Sequence, residues 1–296
     1  MKILPLTLAF FLTTLMLFGV DWPVRNREIV TTFGSNRGGQ FTIGLTISGR
    51  NTGVYAVEEG EVIFSLESSD AKRGLPSGMG NFLVIQHDDG LKSIYTHLQS
   101  GSIRDHADDG FRVGEGTVIG EVGDSGWAYG KQLGFAVMDS EFNQFVNPLL
   151  LLPSIIDSVK PVVGNMRFQQ GDVEIPLEEA VSIKAGEYHL LADIYDISEY
   201  TNGMNPMAPF SVTLYINGSE TGRYTFEALQ EQEGKIILQK SEGKTFSQIY
   251  AGAKTIDLGE YDVIPGNMSI EIIVTDYAGN EADIIRDIVI TTGQDK

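Results

Sequence analysis

The chain has 296 residues, no cysteine and 34 glycines, and its 40 Asp plus Glu outweigh 21 Lys plus Arg to give a formal charge of −19. That charge, about −6 on residues 1–148 and about −13 on 149–296, argues against a nucleic-acid partner, because a phosphate backbone needs basic contacts. Without cysteine neither a disulfide framework nor a thiolate metal site is available. A 42% hydrophobic share on a chain of this length predicts two folded units, each with its own core.

Residues 1–22 read as a targeting segment. Lys2 supplies a short positive start, and Ile3 to Val20 is apolar apart from Thr7, Thr13 and Thr14. This pattern predicts export. Leu17-Phe18-Gly19 is a poor cleavage signal and the run is long enough to span a bilayer, so a cleaved signal peptide and a retained N-terminal anchor both stand. That anchor is the only membrane association expected. A lipid-modified cysteine is excluded by composition.

Residues 23–155 alternate short β-type runs with glycine turns. The runs include Gly53 to Val57, Glu61 to Phe64, Asn81 to Gln86, Leu91 to Tyr95, Gly116 to Gly120 and Gln132 to Val137. Glu59-Gly60, Asp88-Asp89-Gly90, Asp109-Gly110 and Asp124-Ser125-Gly126 separate them with residues that tolerate positive φ. The expectation is an antiparallel β domain without an amphipathic helix. Leu149 to Ile156, around Pro153, reads as the end of this domain and the start of a linker.

Residues 156–296 form a second β-rich stretch. Candidate strands are Val173 to Ile175, Val181 to Ile183, Glu187 to Ile194, Ser211 to Ile216, Lys235 to Leu238, Met268 to Val274 and Ala282 to Ile290. Seven runs at this spacing predict a β-sandwich. Thr201 to Pro209, with two prolines and two methionines, reads as an exposed loop. Val274-Thr-Asp-Tyr-Ala-Gly-Asn-Glu-Ala282 resembles the D-x-A-G-N turn before the last strand of bacterial Ig-like and fibronectin-like modules. The resemblance implies that class of sandwich.

In the first unit a longer series of motifs follows one order. Phe33-Gly34 precedes Arg37, Gly53-Val-Tyr-Ala-Val-Glu-Glu-Gly60 leads to Val62, and Gly78-Met-Gly-Asn81 is followed by Tyr95-Thr-His-Leu98. Val113 to Gly120, Gly123-Asp-Ser-Gly126 and Gly130-Lys-Gln-Leu-Gly-Phe-Ala-Val137 complete it. This order resembles the LytM/lysostaphin family of zinc endopeptidases, which cut peptide cross-links in peptidoglycan. It implies an all-β fold, with a LytM-like sheet core (the duplicated hybrid motif) in front of the Ig-like sandwich. Biotinyl and lipoyl carriers share the V-x-x-G-x-x-I-G turn, but they present a lysine at a hairpin tip. Lys92 and Lys131 lie within strand-like runs instead.

The departures from the family fall on its metal and catalytic residues. The first metal histidine and the aspartate align with Thr42 and Thr46, and the H-x-H pair aligns with Gln132 and Gly134. Only His97 remains. A catalytic zinc needs about three imidazole or carboxylate ligands and an open position for water. No cofactor is therefore expected, although the family implies zinc, and Thr42, Thr46 and Gly134 are vacated ligand positions. His97 and Gln132 are vestigial catalytic positions. Arg37, Thr42, Thr46, Tyr95, His97 and Gln132 are the candidates for a binding cleft.

His97 also has a plain reading, as a strand histidine held by Tyr95 or the backbone. His87 and His106 lie near Asp88, Asp89, Asp105, Asp108 and Asp109. Solvated acidic turns account for this cluster better than a carboxylate cation site, whose spacing fits no known loop. His189 reads as structural.

Three functions compete on this basis. The leading expectation is a non-catalytic envelope or periplasmic protein, a pseudopeptidase that binds peptidoglycan or an envelope protein such as a cell-wall amidase and regulates it. The resemblance implies this role, because family members with missing ligands act in that way. An active endopeptidase with unrecognised ligands and a structural or adhesive surface protein working through the Ig-like module are the alternatives.

Overall fold

A computed structural model describes residues 21–49, 52–67, 77–103, 110–178, 182–197 and 205–292. The targeting run, His106 with Asp105, Asp108 and Asp109, and residues 201–204 of the expected loop lie outside the described residues. Among those described, no helix is long and apolar enough to cross a membrane.

The N-terminal half is built from short strands. They are β1 (Ile29–Thr31), β2 (Leu45–Ser48), β3 (Gly53–Tyr55), β4 (Gly60–Leu66), β5 (Asn81–His87), β6 (Leu91–Leu98), β7 (Arg112–Val113), β8 (Val118–Glu121), β9 (Gln132–Asp139) and β10 (Gln144–Val146). A continuous antiparallel path runs β7-β4-β5-β6-β9-β2-β1, and β3 pairs with β8 beside it. Alternation explains the register. Leu45 and Ile47, Leu83 and Ile85, and Leu133 and Phe135 all point into one core, and a slip of one residue would turn each of these pairs toward water.

The C-terminal half continues with β11 (Val162–Gln170), β12 (Val173–Pro176), β13 (Ser182–Lys184), β14 (Gly186–Tyr195), β15 (Ser211–Ile216), β16 (Ser219–Gln232), β17 (Lys235–Lys240), β18 (Lys244–Thr245), the single helical turn α1 (Phe246–Ile249), β19 (Thr255–Val263), β20 (Gly266–Thr275) and β21 (Glu281–Thr291). One layer is β12-β11-β14-β19 and the other runs β13-β21-β20-β15-β16 with β17 on its edge. Met166, Phe168, Leu190 and Ile256 from the first layer and Val212, Phe226, Ile272 and Ile288 from the second share one core.

Several elements depart from the sequence expectation. β11, β16 and β19 were not among the candidate strands, since Asp257, Glu260 and Asp262 in β19 or Glu220 and Arg223 in β16 interrupt any apolar run. Backbone pairing inside a sheet overrides weak side-chain preference at such positions. The region around Pro148 forms a 3-10 turn, Pro148–Leu150, capped by the Asn147 side chain accepting from the Leu149 amide.

The two halves are joined by pairing as well as by chain. β10 pairs with β9 on one side and with β16 on the other, Phe145 opposite Leu229 and Val146 opposite Ala228. The sheet of the first half is therefore continuous with one layer of the second. The cores interlock too. Phe33 and Phe41 belong to the C-terminal core, and Met207 belongs to the N-terminal one.

Candidate functional site

Across β6, β9 and β2 a single row of residues stands abreast, with Thr96 opposite Gly134 and Gly134 opposite Thr46. Odd-numbered neighbours face the core, so Thr46, Gln132 and Gly134 share the outer face. Thr46 and Gly134, two of the positions read from the sequence as vacated ligand positions, are thus side by side, and Gln132 lies two residues along β9 on the same face.

His97 ends this row in an unusual conformation. Its φ of 64° is left-handed, which costs on the order of 1–3 kcal/mol for a residue other than glycine. Its amide donates to the Met79 carbonyl, and Nδ1–H donates to the Ser125 carbonyl at 2.9 Å. Burial holds its pKa below the usual imidazole range against the opposing pull of that carbonyl, and the Arg37 charge adds to the lowering. Neutral His97 with its proton on Nδ1 leaves Nε2 as an acceptor. Nε2 points toward Gly134, where a built Cβ would stand 3.6 Å away.

The remaining candidates divide. Arg37 donates from Nη1 to Thr46 Oγ1 at 3.4 Å. Thr42 is held to the segment 34–35 by two backbone bonds, Gly34 N to Thr42 O and Thr42 N to Ser35 O, and its Oγ1 is buried without a partner. Gln132 is 5% exposed and its Nε2 also lacks a partner. Tyr95 requires a correction. It is fully buried on the opposite face, packed on Phe135 with its hydroxyl accepting from the Val57 amide and from Ser93, because odd positions of β6 point into the core until the left-handed turn at His97 breaks the alternation.

His87 and His189 sit in structural surroundings. His87 is buried between the Glu59 carbonyl and the Ser93 hydroxyl, while Asp88 pairs with Arg112. His189 bonds Asp257 across β14 and β19.

This donor set does not fit a catalytic zinc. One imidazole nitrogen faces hydroxyls and an amide, with no carboxylate, and the Arg37 guanidinium bonds the hydroxyl at the aspartate position, so it brings positive charge where a dication would sit. A Cβ at Gly134 would run into Thr96 Oγ1, so a ligand side chain could not be added there without moving Thr96.

A cleft of about 790 Å³ opens beside the Thr46 end of this row. Arg37, Thr46, Gln132 and the 94%-exposed Tyr129 form one wall, and Phe246 with the segment 250–253 forms the other. The second wall was not foreseen, since it lies more than 100 residues away in sequence. Ser125 and Thr96 were also missed as partners of His97 and Gly134, although Ser125 stood within the quoted G-D-S-G turn. On another face, carboxylate oxygens of Asp157, Asp196 and Asp276 lie within 4.8 Å of one another, beside a cavity of about 280 Å³ that Ile29 and Met207 also line.

The family model for peptidase family M23 matches residues 40–148, the stretch that contains the row, His97 and most of the first wall. Residues 40–148 are thus similar to an M23 peptidase domain. An uncharacterized protein of Treponema pallidum is 28% identical over 119 residues, which cover 38% of this chain and 81% of that one. The murein hydrolase activator NlpD of Escherichia coli is 29% identical over 133 residues, 45% of this chain and 31% of that protein. The M23-type domain thus spans under a third of NlpD. Among solved structures, the catalytic domain of a point mutant of the M23 protein EnpA from Enterococcus faecalis is 27% identical, with a TM-score of 0.35, covering 43% of this chain and 89% of that one.

Proposed function

We propose that this chain is a non-catalytic cell-envelope protein whose M23-type domain is a pseudopeptidase that binds peptidoglycan or an envelope protein and regulates a cell-wall hydrolase such as an amidase. The observation that carries the reading is the row Thr46–Gly134–Thr96 beside His97, where threonine, glycine and an Arg37 contact replace a metal-binding set. Retention of a strained His97 and a wide cleft without that set supports a shape kept for binding. The name of the relative NlpD, a murein hydrolase activator, favours regulation over an inert spacer. Export through the N-terminal segment would place the protein in the periplasm or envelope, with the C-terminal half as an Ig-like module beside the cleft.

The test uses the whole exported chain, since the two halves share cores. Zinc content is measured, and the protein is incubated with peptidoglycan alone and with a cell-wall amidase. The expected result is no stoichiometric zinc, no cleavage alone, and faster release of fragments with the amidase. Bound zinc with cleavage that disappears in His97→Ala would instead establish an active endopeptidase, and no effect in either arm would remove the regulatory role.

A further inference from the structure

The cleft has a charge pattern unlike the rest of the molecule. In a chain with 40 acidic residues, the described residues lining it include no Asp or Glu, and Arg37 is the charged group among them. A basic group in a concave, acid-free site within an acidic protein concentrates positive potential there, because the surrounding repulsion keeps anions away from other surfaces. Lys131 and Lys254, adjacent in sequence to wall residues, are engaged elsewhere, by Gln99 and Asp193.

The second feature is the orphaned amide. Gln132 belongs to the wall, is nearly fully buried, and its Nε2 has no hydrogen-bond partner. A buried unsatisfied donor costs about 1–3 kcal/mol, a cost relieved when the Gln132 side chain turns this amide toward an acceptor brought by a ligand. The third feature is the composition of the opposite wall. Phe246 there and Tyr129 at the rim offer aromatic surface beside the mostly buried Tyr250, and the volume suits a short peptide end better than a folded face.

From these we propose that the two halves of the chain together form a binding site for a short peptide with a free carboxylate, the carboxylate meeting Arg37 and the Gln132 amide and the adjoining side chain lying against Phe246, Tyr250 and Tyr129. This rests on the reading of the M23-type domain as a binding module, and it adds the chemistry of the ligand and the contribution of the C-terminal half. The site exists only in the joined molecule. Phe41 packs edge-on against Phe246 at 5.3 Å, and Asn36 donates to the Gly252 carbonyl at 3.1 Å, so the loop that presents Arg37 is seated on the wall it faces.

Binding of the full chain to N-acetyl-Lys-Ala-Ala and to its C-terminal amide is measured by calorimetry, with a matched pair ending in D-Ala-D-Ala. The free acid is expected to bind at least ~10-fold more tightly than the amide, the size of one lost charge-assisted contact. Arg37→Gln should lose that preference. Ala253→Glu, which adds an acid to the exposed C-terminal wall, should weaken the free acid by a similar factor while thermal unfolding stays unchanged. Equal binding of acid and amide, or full affinity in Ala253→Glu, overturns the proposal. Preference for the D-Ala end identifies a wall peptide as the source, and preference for the L-Ala end a protein terminus. Cleavage of the bound peptide would sink the non-catalytic reading and leave this site standing. Amidase stimulation without carboxylate preference would do the reverse.

Discussion

Asp196 lies 4% exposed between Asp157 and Asp276, and its side chain accepts from the neighbouring Ile197 amide. Burial foremost, with the two nearby carboxylates, pushes its pKa up to about 7. Between the ordinary aspartate value and about 7 the folded state holds a proton that the unfolded state has released. Stability from this group is therefore present at low pH and lost as pH rises through about 7. Asp196→Asn should stabilise the protein at pH 8 by on the order of 2–4 kcal/mol, with the gain shrinking toward pH 4. Denaturant unfolding across that range checks it, and a gain that does not depend on pH would contradict it. At the vacated row, Gly134→His alone should neither recruit zinc nor leave stability unchanged. The new side chain meets Thr96 Oγ1, a small-to-large change that costs about 1–3 kcal/mol, and metal content with a melting curve reads both effects.

At the scale of elements, the segment from β1 to β2 joins the M23-type domain to its neighbour. Gly34 takes a φ of +79°, and a Cβ there would penetrate the Phe226 ring. Its carbonyl accepts from the Tyr250 hydroxyl at 2.9 Å, while Thr32 and Ser35 bond the Ala208 backbone. Gly34→Ala therefore combines a left-handed backbone with overpacking and should cost about 2–4 kcal/mol. The same substitution should loosen the Arg37 loop, seen as faster amide exchange at residues 36–40. The strand Gln132–Asp139 and the turn before β21 were legible because alternation and Asp-Gly chemistry leave a local signature. β16 was not. It earns its 14 residues by pairing with β15 over its first half and with β10 and β17 over its second, partners that no local pattern announces.

For the molecule as a whole, the shared sheet and exchanged core residues predict one unfolding transition. Phe33 and Phe41 complete the C-terminal core, and Asn147 bonds the Phe226 carbonyl at 2.7 Å and the Glu227 carbonyl through its own amide. Calorimetry should show a single peak whose calorimetric and van't Hoff enthalpies agree. Two separated peaks would mean that β10 pairing couples the halves weakly.

The residue sequence by itself determined that this chain is all-β and that its N-terminal half follows the M23 order of motifs, because these depend on alternation, turn residues and identity at given spacings. Only the tertiary structure decided that Tyr95 turns into the core, that Thr96 fills the space beside Gly134, and that Phe246 and Tyr250 face Arg37 across the cleft. Those outcomes depend on which strands lie abreast and on contacts between residues as far as 216 apart in the chain, and such proximity is a property of packing that no local stretch encodes.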